Sequence, residues 1–313
     1  MSNLSKSIYD YYFKHLDKLP TDAQFHLGTR LHFWDQDPQA QDLLNKLTDW
    51  FTGDGDHQAS LQTVYDEAQN APLAKVNNAR ELRRPFFEKY PLLRTCNLLL
   101  FRITFLKHVY GIDVRDQFYA FCPREQVEAM RTALLEDDEA LRVLATYATN
   151  FLYLYDRVIA EDESSLPIDK LYEVGKDAYD LSDRMGLQLY IYLYTHCIIG
   201  ESLFYYRALP ASNRATYQAM VADLERVIDE HYDDINLDNK FEFLVAAKIA
   251  DYQTSLEQRI FAEAERSVSP DGTFLIDTIN NFPQPDKRTL DGSEHRNVLF
   301  ILANRDFKPL QPE

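Results

Sequence analysis

Glycine is scarce in this chain, with nine in 313 residues, and no P-loop, dinucleotide-type glycine pattern, nucleophile elbow or kinase motif occurs. Loops that cradle phosphates bring backbone close to the ligand and need glycine to do so, which disfavours these function classes. Positive charge is also short: 33 Lys and Arg stand against 50 Asp and Glu, a net charge of −17. Such a balance repels nucleic-acid phosphate and anionic lipid, and no basic stripe interrupts it, so no nucleic-acid partner is expected. Runs such as LLEDDEALR and IAEDESSLPIDK read as solvated outer surface.

Cysteine is limited to Cys96, Cys122 and Cys197, an odd number in apolar surroundings without CxxC or CxH spacing. They read as reduced core residues of an intracellular protein, not as a disulfide or zinc framework. Neither H-x-x-x-H nor H-E-x-x-H is present, so no metal and no cofactor is expected. The opening MSNLSKSIYDYYFKHLDK lacks the apolar core of a signal peptide, and a cytoplasmic location is expected. A long run free of polar residues is missing as well. The nearest, 187–206, carries Gln188, Thr195, His196, Glu201 and Ser202, a poor membrane span and a good buried helix.

What the chain does have is a recurrence. Apolar or aromatic helical runs start near Gln24, Arg94, Ala148, Thr195, Phe241 and Glu294, at gaps of 70, 54, 47, 46 and 53 residues, with GDGDHQ at 53–58 lengthening the first. A more charged helical segment lies between consecutive runs, as expected for hairpins of one exposed and one buried helix. The expected fold is therefore all-α, a single helical domain over 1–313, with about six hairpins closing into an α/α toroid or forming an open α-solenoid. An ordinary irregular all-α domain accounts for the same runs, since half of all helices are buried.

Punctuation gives the expected elements. A first helix covers 3–18 and Pro20 ends it; Pro38 begins an exposed helix; a loop holds GDGDHQ; and a long apolar helix runs from Pro91 to Gly111. Segments 123–136 and 138–160 make a hairpin, 187–207 is one buried helix, and 211–232 is amphipathic and outer. From Ser269 a Pro-Asp-Gly turn, the β-prone FLIDT and a Pro-rich stretch form a long loop over 269–293, where such folds carry function.

The unit YLYTHCIIGESLFYYR around His196 resembles a Tyr-x-Leu-Thr-His helix followed by an aromatic, found in bacterial families of unknown function expected to be helical toroids. The DGTF turn followed by EHRNVLFILA is similar to a terminal toroid repeat. The resemblance spans about the last 120 residues and implies a fold, with no activity attached. Lanthionine-cyclase-like zinc motifs are not matched, and DDEAL and DDINLD are only superficially similar to the acidic clusters of terpene cyclases.

Candidate site residues follow from the expected helix starts. His26, His196 and His295 each fall in the first turn or so of a proposed inner helix; parallel inner helices would gather them at one mouth, where helix N-termini add a positive field. Each histidine can equally cap its helix or satisfy a buried carbonyl. Thr195, Asp277, Glu294, Arg296 and Asn297 complete the ligand-binding candidates, while catalytic residues remain unassigned. Asp271 is most simply the Asp of its turn, and Glu294 a favourable first-turn charge. Twenty Tyr and nineteen Phe concentrate on the apolar runs, and buried phenols need partners, which implies an internal polar network or a wet cavity. The expected function is binding of a small molecule, carbohydrate or peptide at the mouth of the inner helices. The alternatives are a carbohydrate-active hydrolase or lyase using His/carboxylate acid–base chemistry, and a helical-repeat interaction scaffold.

Overall fold

A computed structural model describes residues 2–70, 78–163, 166–176, 178–276 and 288–311. Among these the protein is all-α: there is no strand, and β pairing is limited to the isolated bridges Arg207 to Gln311 and Val268 to Leu275. No helix among the described residues is long and apolar enough to cross a membrane. The chain divides into two compact units, one of Met1–Leu47 with Phe204–Glu313, the other of Thr48–Leu203.

The first unit is built on three helices with little exposed surface. Thr21–Asp35 buries Phe25, Leu27, Leu31, Phe33 and Trp34; Leu237–Ile249 buries nearly every side chain; Glu294–Ala303 is covered from Arg296 onward. Gly28 makes the first of these possible, because a Cβ there would meet Leu44 of the Pro38–Lys46 helix at 3.2 Å. Asp37 caps Pro38–Lys46 through the Ala40 amide, and Asn236 caps Leu237–Ile249 through the Asn239 amide. Arg214–Glu230 is amphipathic, burying Tyr217, Met220, Val221 and Leu224. The first expected helix is shorter than read: it ends at Lys14, and a 3₁₀ turn over Leu16–Lys18 leads to Pro20.

The second unit contains the apolar helices Leu93–Tyr110, Thr146–Leu154 and Arg184–Glu201. Gly111 closes the first in the left-handed conformation. The GDGDHQ stretch is a tight turn, and His57 already belongs to the following helix His57–Asn70. The expected 138–160 helix is broken at Ala145 (φ +41°) and ends in a π segment, Tyr155–Ile159. That segment turns Asp156 and Arg157 inward onto charged partners. Arg131 donates to both Asp156 oxygens at 2.6 Å, and Arg157 forks onto Glu201 at 3.0 and 2.9 Å with neither side chain exposed. All three cysteines are buried and free, and Cys96 Sγ lies 3.3 Å from Cys122 Sγ.

The expected 187–207 helix ends at Glu201, and Leu203, Phe204 and Tyr205 follow with φ of +50°, +57° and +79°. Left-handed backbone costs a side-chain-bearing residue about 1–2 kcal/mol, so three in succession persist only where their surroundings fix them. All three side chains are buried.

Candidate functional site

In the first unit the N-terminal ends of three buried helices bring their polar residues together. His26 and Glu242 are the sixth residues of Thr21–Asp35 and Leu237–Ile249, Asp238 is the second of the latter, and Glu294 and His295 open Glu294–Ala303. His26 Nδ1 lies 2.9 and 2.8 Å from the two carboxylate oxygens of Glu294. The His26 and His295 ring centroids are 5.7 Å apart. His295 in turn faces two carboxylates, Asp238 through Nδ1 at 3.5 Å and Glu242 through Nε2 at 3.7 Å. Arg296 donates from Nε and Nη2 to Asp238 Oδ2 at 3.0 and 2.7 Å.

Exposure sorts the cluster. The His26 and His295 side chains are 28% and 42% exposed, whereas Glu294 and Glu242 are 6% and 5%. The imidazoles and Asp238, whose side chain is 22% exposed, are therefore the groups that meet solvent, with Glu294 and Glu242 behind them. Arg30, one helical turn after His26, reaches toward the Tyr205 ring at 5.8 Å and leaves Nε buried without a partner among the described residues. Tyr205, set by the left-handed turn, also packs edge-on against Trp34 at 5.6 Å.

Burial pushes the Glu294 carboxyl up to about 7, opposed by Arg30 and His295 and helped by Asp22. Burial also drives His26 well below the usual histidine range, and the positive charges of Arg30 and His295 push the same way. For Asp238 burial works to raise the carboxyl, but the hydrogen bond from His295 and the charges of Arg296 and His295 outweigh it and hold the group well below its usual range. Burial takes the Tyr205 phenol up to about 12, against Arg30 and with Glu242. Burial thus puts the Glu294 carboxyl near neutral pH beside an imidazole held in its neutral form.

The structure brings together His26, Glu294, His295 and Arg296, four of the residues singled out from the sequence. Asn297 stands next to them in a different role: its amide donates to the Leu275 and Ser293 carbonyls at 3.0 and 2.8 Å and accepts from the Leu275 amide at 2.7 Å. It is occupied in tying the 268–276 turn to the helix. Asp277 lies outside the described residues, as does the rest of the loop to residue 287. Asp271 is the turn residue expected, accepting from Ser269 and Thr273 hydroxyls at 2.6 and 2.8 Å beside Gly272 (φ +75°).

Thr195 and His196 belong to the second unit and correct the reading of their helix. The helix starts at Arg184, so both sit in its C-terminal half and not at an N-terminal mouth. Asp183 caps the helix through the Met185 and Gly186 amides, which puts its start three residues ahead of the expected one at 187. Thr195 is buried and donates to the Ile191 carbonyl at 2.9 Å; His196 Nδ1 lies 2.9 Å from the Asn150 side-chain oxygen.

Arg30, Tyr205, Asp238 and Glu242 were not singled out from the sequence. Two of their signals were available: Arg30 follows His26 by four positions, and Glu242 follows Asp238 by four, so each pair shares a helix face. Elsewhere in this unit a shallow open depression is lined by Asp35, Asp37, Pro38, Asn304, Arg305 and Asp306. Its charges serve one another, with Arg305 at 2.9 Å from Asp37 and 3.2 Å from Asp35. Among the described residues no group of His, Cys, Asp or Glu is arranged to hold a metal ion. No protein-family model, curated protein or solved structure matches the chain.

Proposed function

We propose that the chain binds a small polar molecule at the N-terminal ends of Thr21–Asp35, Leu237–Ile249 and Glu294–Ala303. The observation that carries this reading is the pair of half-exposed imidazoles, His26 and His295, 5.7 Å apart over buried carboxylates. Charged and titratable groups of this density are expensive to bury, and core packing alone does not require them. The fifty-residue recurrence of buried helices supports placing this site at the mouth of a ring of helical hairpins, an α/α toroid. Three free, buried thiols support a cytoplasmic setting.

The test is ligand-observed NMR with a set of neutral sugars and short peptides. His26→Ala and His295→Ala are expected to weaken binding by about tenfold or more, roughly 1.4 kcal/mol, with little change in melting temperature. Unfolding of both variants makes the histidines structural and ends the reading.

A second reading, an acid–base enzyme acting on carbohydrate, is favoured by one observation: Glu294, hydrogen-bonded to His26, is pushed by burial to about 7.

A further inference from the structure

We infer that Cys96 and Cys122, both in the second unit, form a dithiol that a peroxide closes to a disulfide, a modification site independent of the ligand site above.

The two sulfurs already face each other. Cys96 Sγ–H donates to Cys122 Sγ at 3.3 Å across 26 residues of sequence. A disulfide holds its sulfurs at about 2 Å, so closing this one draws them together by about 1.3 Å.

The backbone holds the two cysteines differently. Cys96 is the fourth residue of the long helix Leu93–Tyr110 and is wholly buried. Cys122 is buried as well, but it follows the four-residue helix Phe118–Phe121 in extended backbone (φ −125°, ψ 95°), and Ala120, Pro123 and Arg124 around it are exposed. A single helical turn under an exposed segment opens at less cost than the middle of a long buried helix. Local opening therefore presents Cys122 first, and that short segment can also take up the shift that the bond requires.

The hydrogen bond to Cys122 and burial together push the Cys96 thiol well above the usual range. A thiol so placed is inert while the unit stays closed, which restricts the reaction to small oxidants. Cys197 is left without a thiol partner, since the chain has three cysteines; it is wholly buried, and burial pushes its thiol up to about 12. It is the internal reference for the other two.

The oxidant is a peroxide, and the step balances with it alone. Cys122 Sγ attacks one oxygen of hydrogen peroxide, the O–O bond breaks, and one water leaves as Cys122 becomes a sulfenic acid. Cys96 Sγ then attacks Cys122 Sγ: the S–S bond forms, the S–O bond breaks, and the departing hydroxyl takes the Cys96 proton to leave as a second water. Two thiols lose two electrons and two protons, and one peroxide is reduced to two waters. The bond ties Leu93–Tyr110 to the 118–122 segment and restricts the unfolded chain. In a thiol-reducing compartment such a bond is transient, reopened by exchange with a small thiol.

The full chain is treated with hydrogen peroxide, remaining thiols are blocked with iodoacetamide in urea, and peptides are mapped by mass spectrometry before and after reduction. A Cys96–Cys122 linkage within one chain is expected, with Cys197 blocked as a free thiol and the circular dichroism unchanged. The melting temperature is expected to rise by about 5 °C or more and to return with dithiothreitol. In Cys96→Ser, dimedone is expected to trap Cys122 as its sulfenic acid, and in Cys122→Ser, Cys96 is expected to remain a thiol. Three blocked thiols, at a peroxide dose that fully oxidises free glutathione, overturn the inference. So does a linkage between chains, a linkage to Cys197, or one that forms only after helix content is lost. The mapping on the wild-type chain decides the matter even where a serine variant fails to fold.

Discussion

His26 and Glu294 are separated by 268 residues and meet at 2.8 Å, half-exposed imidazole against buried carboxylate. The contact joins the start of the Thr21–Asp35 helix to the start of Glu294–Ala303 and sets a buried carboxyl against an imidazole where two helix N-termini converge. Its consequences for stability can be measured without knowing the ligand.

Burial raises Glu294 from 4.5 to about 7. A carboxyl with a raised folded pKa contributes stability that is fully present below its unfolded value and is lost as pH rises through the folded one. Glu294→Gln removes this dependence. Relative to the wild type, the variant is expected to gain stability between pH 5 and pH 8, by at most about 3 kcal/mol, as read by urea unfolding at a series of pH values. A difference between the two proteins that stays flat across that range contradicts the assignment.

In the second unit, Arg157 and Glu201 form a bidentate pair with neither side chain exposed, and Arg157 also donates to the Asp162 carbonyl at 2.7 Å. Removing Glu201 takes away the buried carboxylate and leaves Arg157 facing the exposed Glu163 at 3.3 Å. Glu201→Ala is expected to cost about 3–5 kcal/mol in chemical denaturation, and Arg157→Met with Glu201→Leu to recover much of the loss.

Asp251 follows the Leu237–Ile249 helix with φ +53° and an exposed side chain, while Tyr252 N–H donates to the Ala247 carbonyl and Asp251 N–H to that of Lys248. This is a Schellman closure at a position where glycine is unstrained. Asp251→Gly is expected to raise stability by about 1 kcal/mol, seen as a higher melting temperature; a lower one means the Asp side chain has a role of its own.

Asn297 uses both ends of its amide on the Leu275 backbone. Asn297→Ala is expected to cost about 1–3 kcal/mol and to speed hydrogen exchange at the Leu275 amide, leaving ligand affinity unchanged once the protein is folded. Loss of affinity at full stability would return Asn297 to the binding residues.

The helical class was legible because apolar runs such as FEFLVAAKIA and NVLFILA have no strand alternation, and Pro and Gly fall at their ends. Helix starts were less so. A cap is written by one polar residue, and Asp183 lies so far ahead of the apolar run that His196 was placed a whole helix half too early. The gathering of His26, Glu294 and His295 could be anticipated from their common position near helix starts. The partners one turn further on carried a weaker signal: the i, i+4 spacing puts Arg30 on the face of His26 and Glu242 on that of Asp238, but only packing shows that those faces are enclosed. The left-handed turn at Leu203–Tyr205 carries no glycine or asparagine to announce it, since tertiary contacts hold it against local preference.

The central claim is that His26 and His295 form one ligand site, and long-range ¹H–¹⁵N spectra of the histidine rings, recorded while neutral sugars are added, test it most directly. The account predicts that the ring nitrogens of both residues shift with the same ligand and give the same dissociation constant. A sugar that binds the chain and moves neither ring, or moves one and leaves the other, contradicts it.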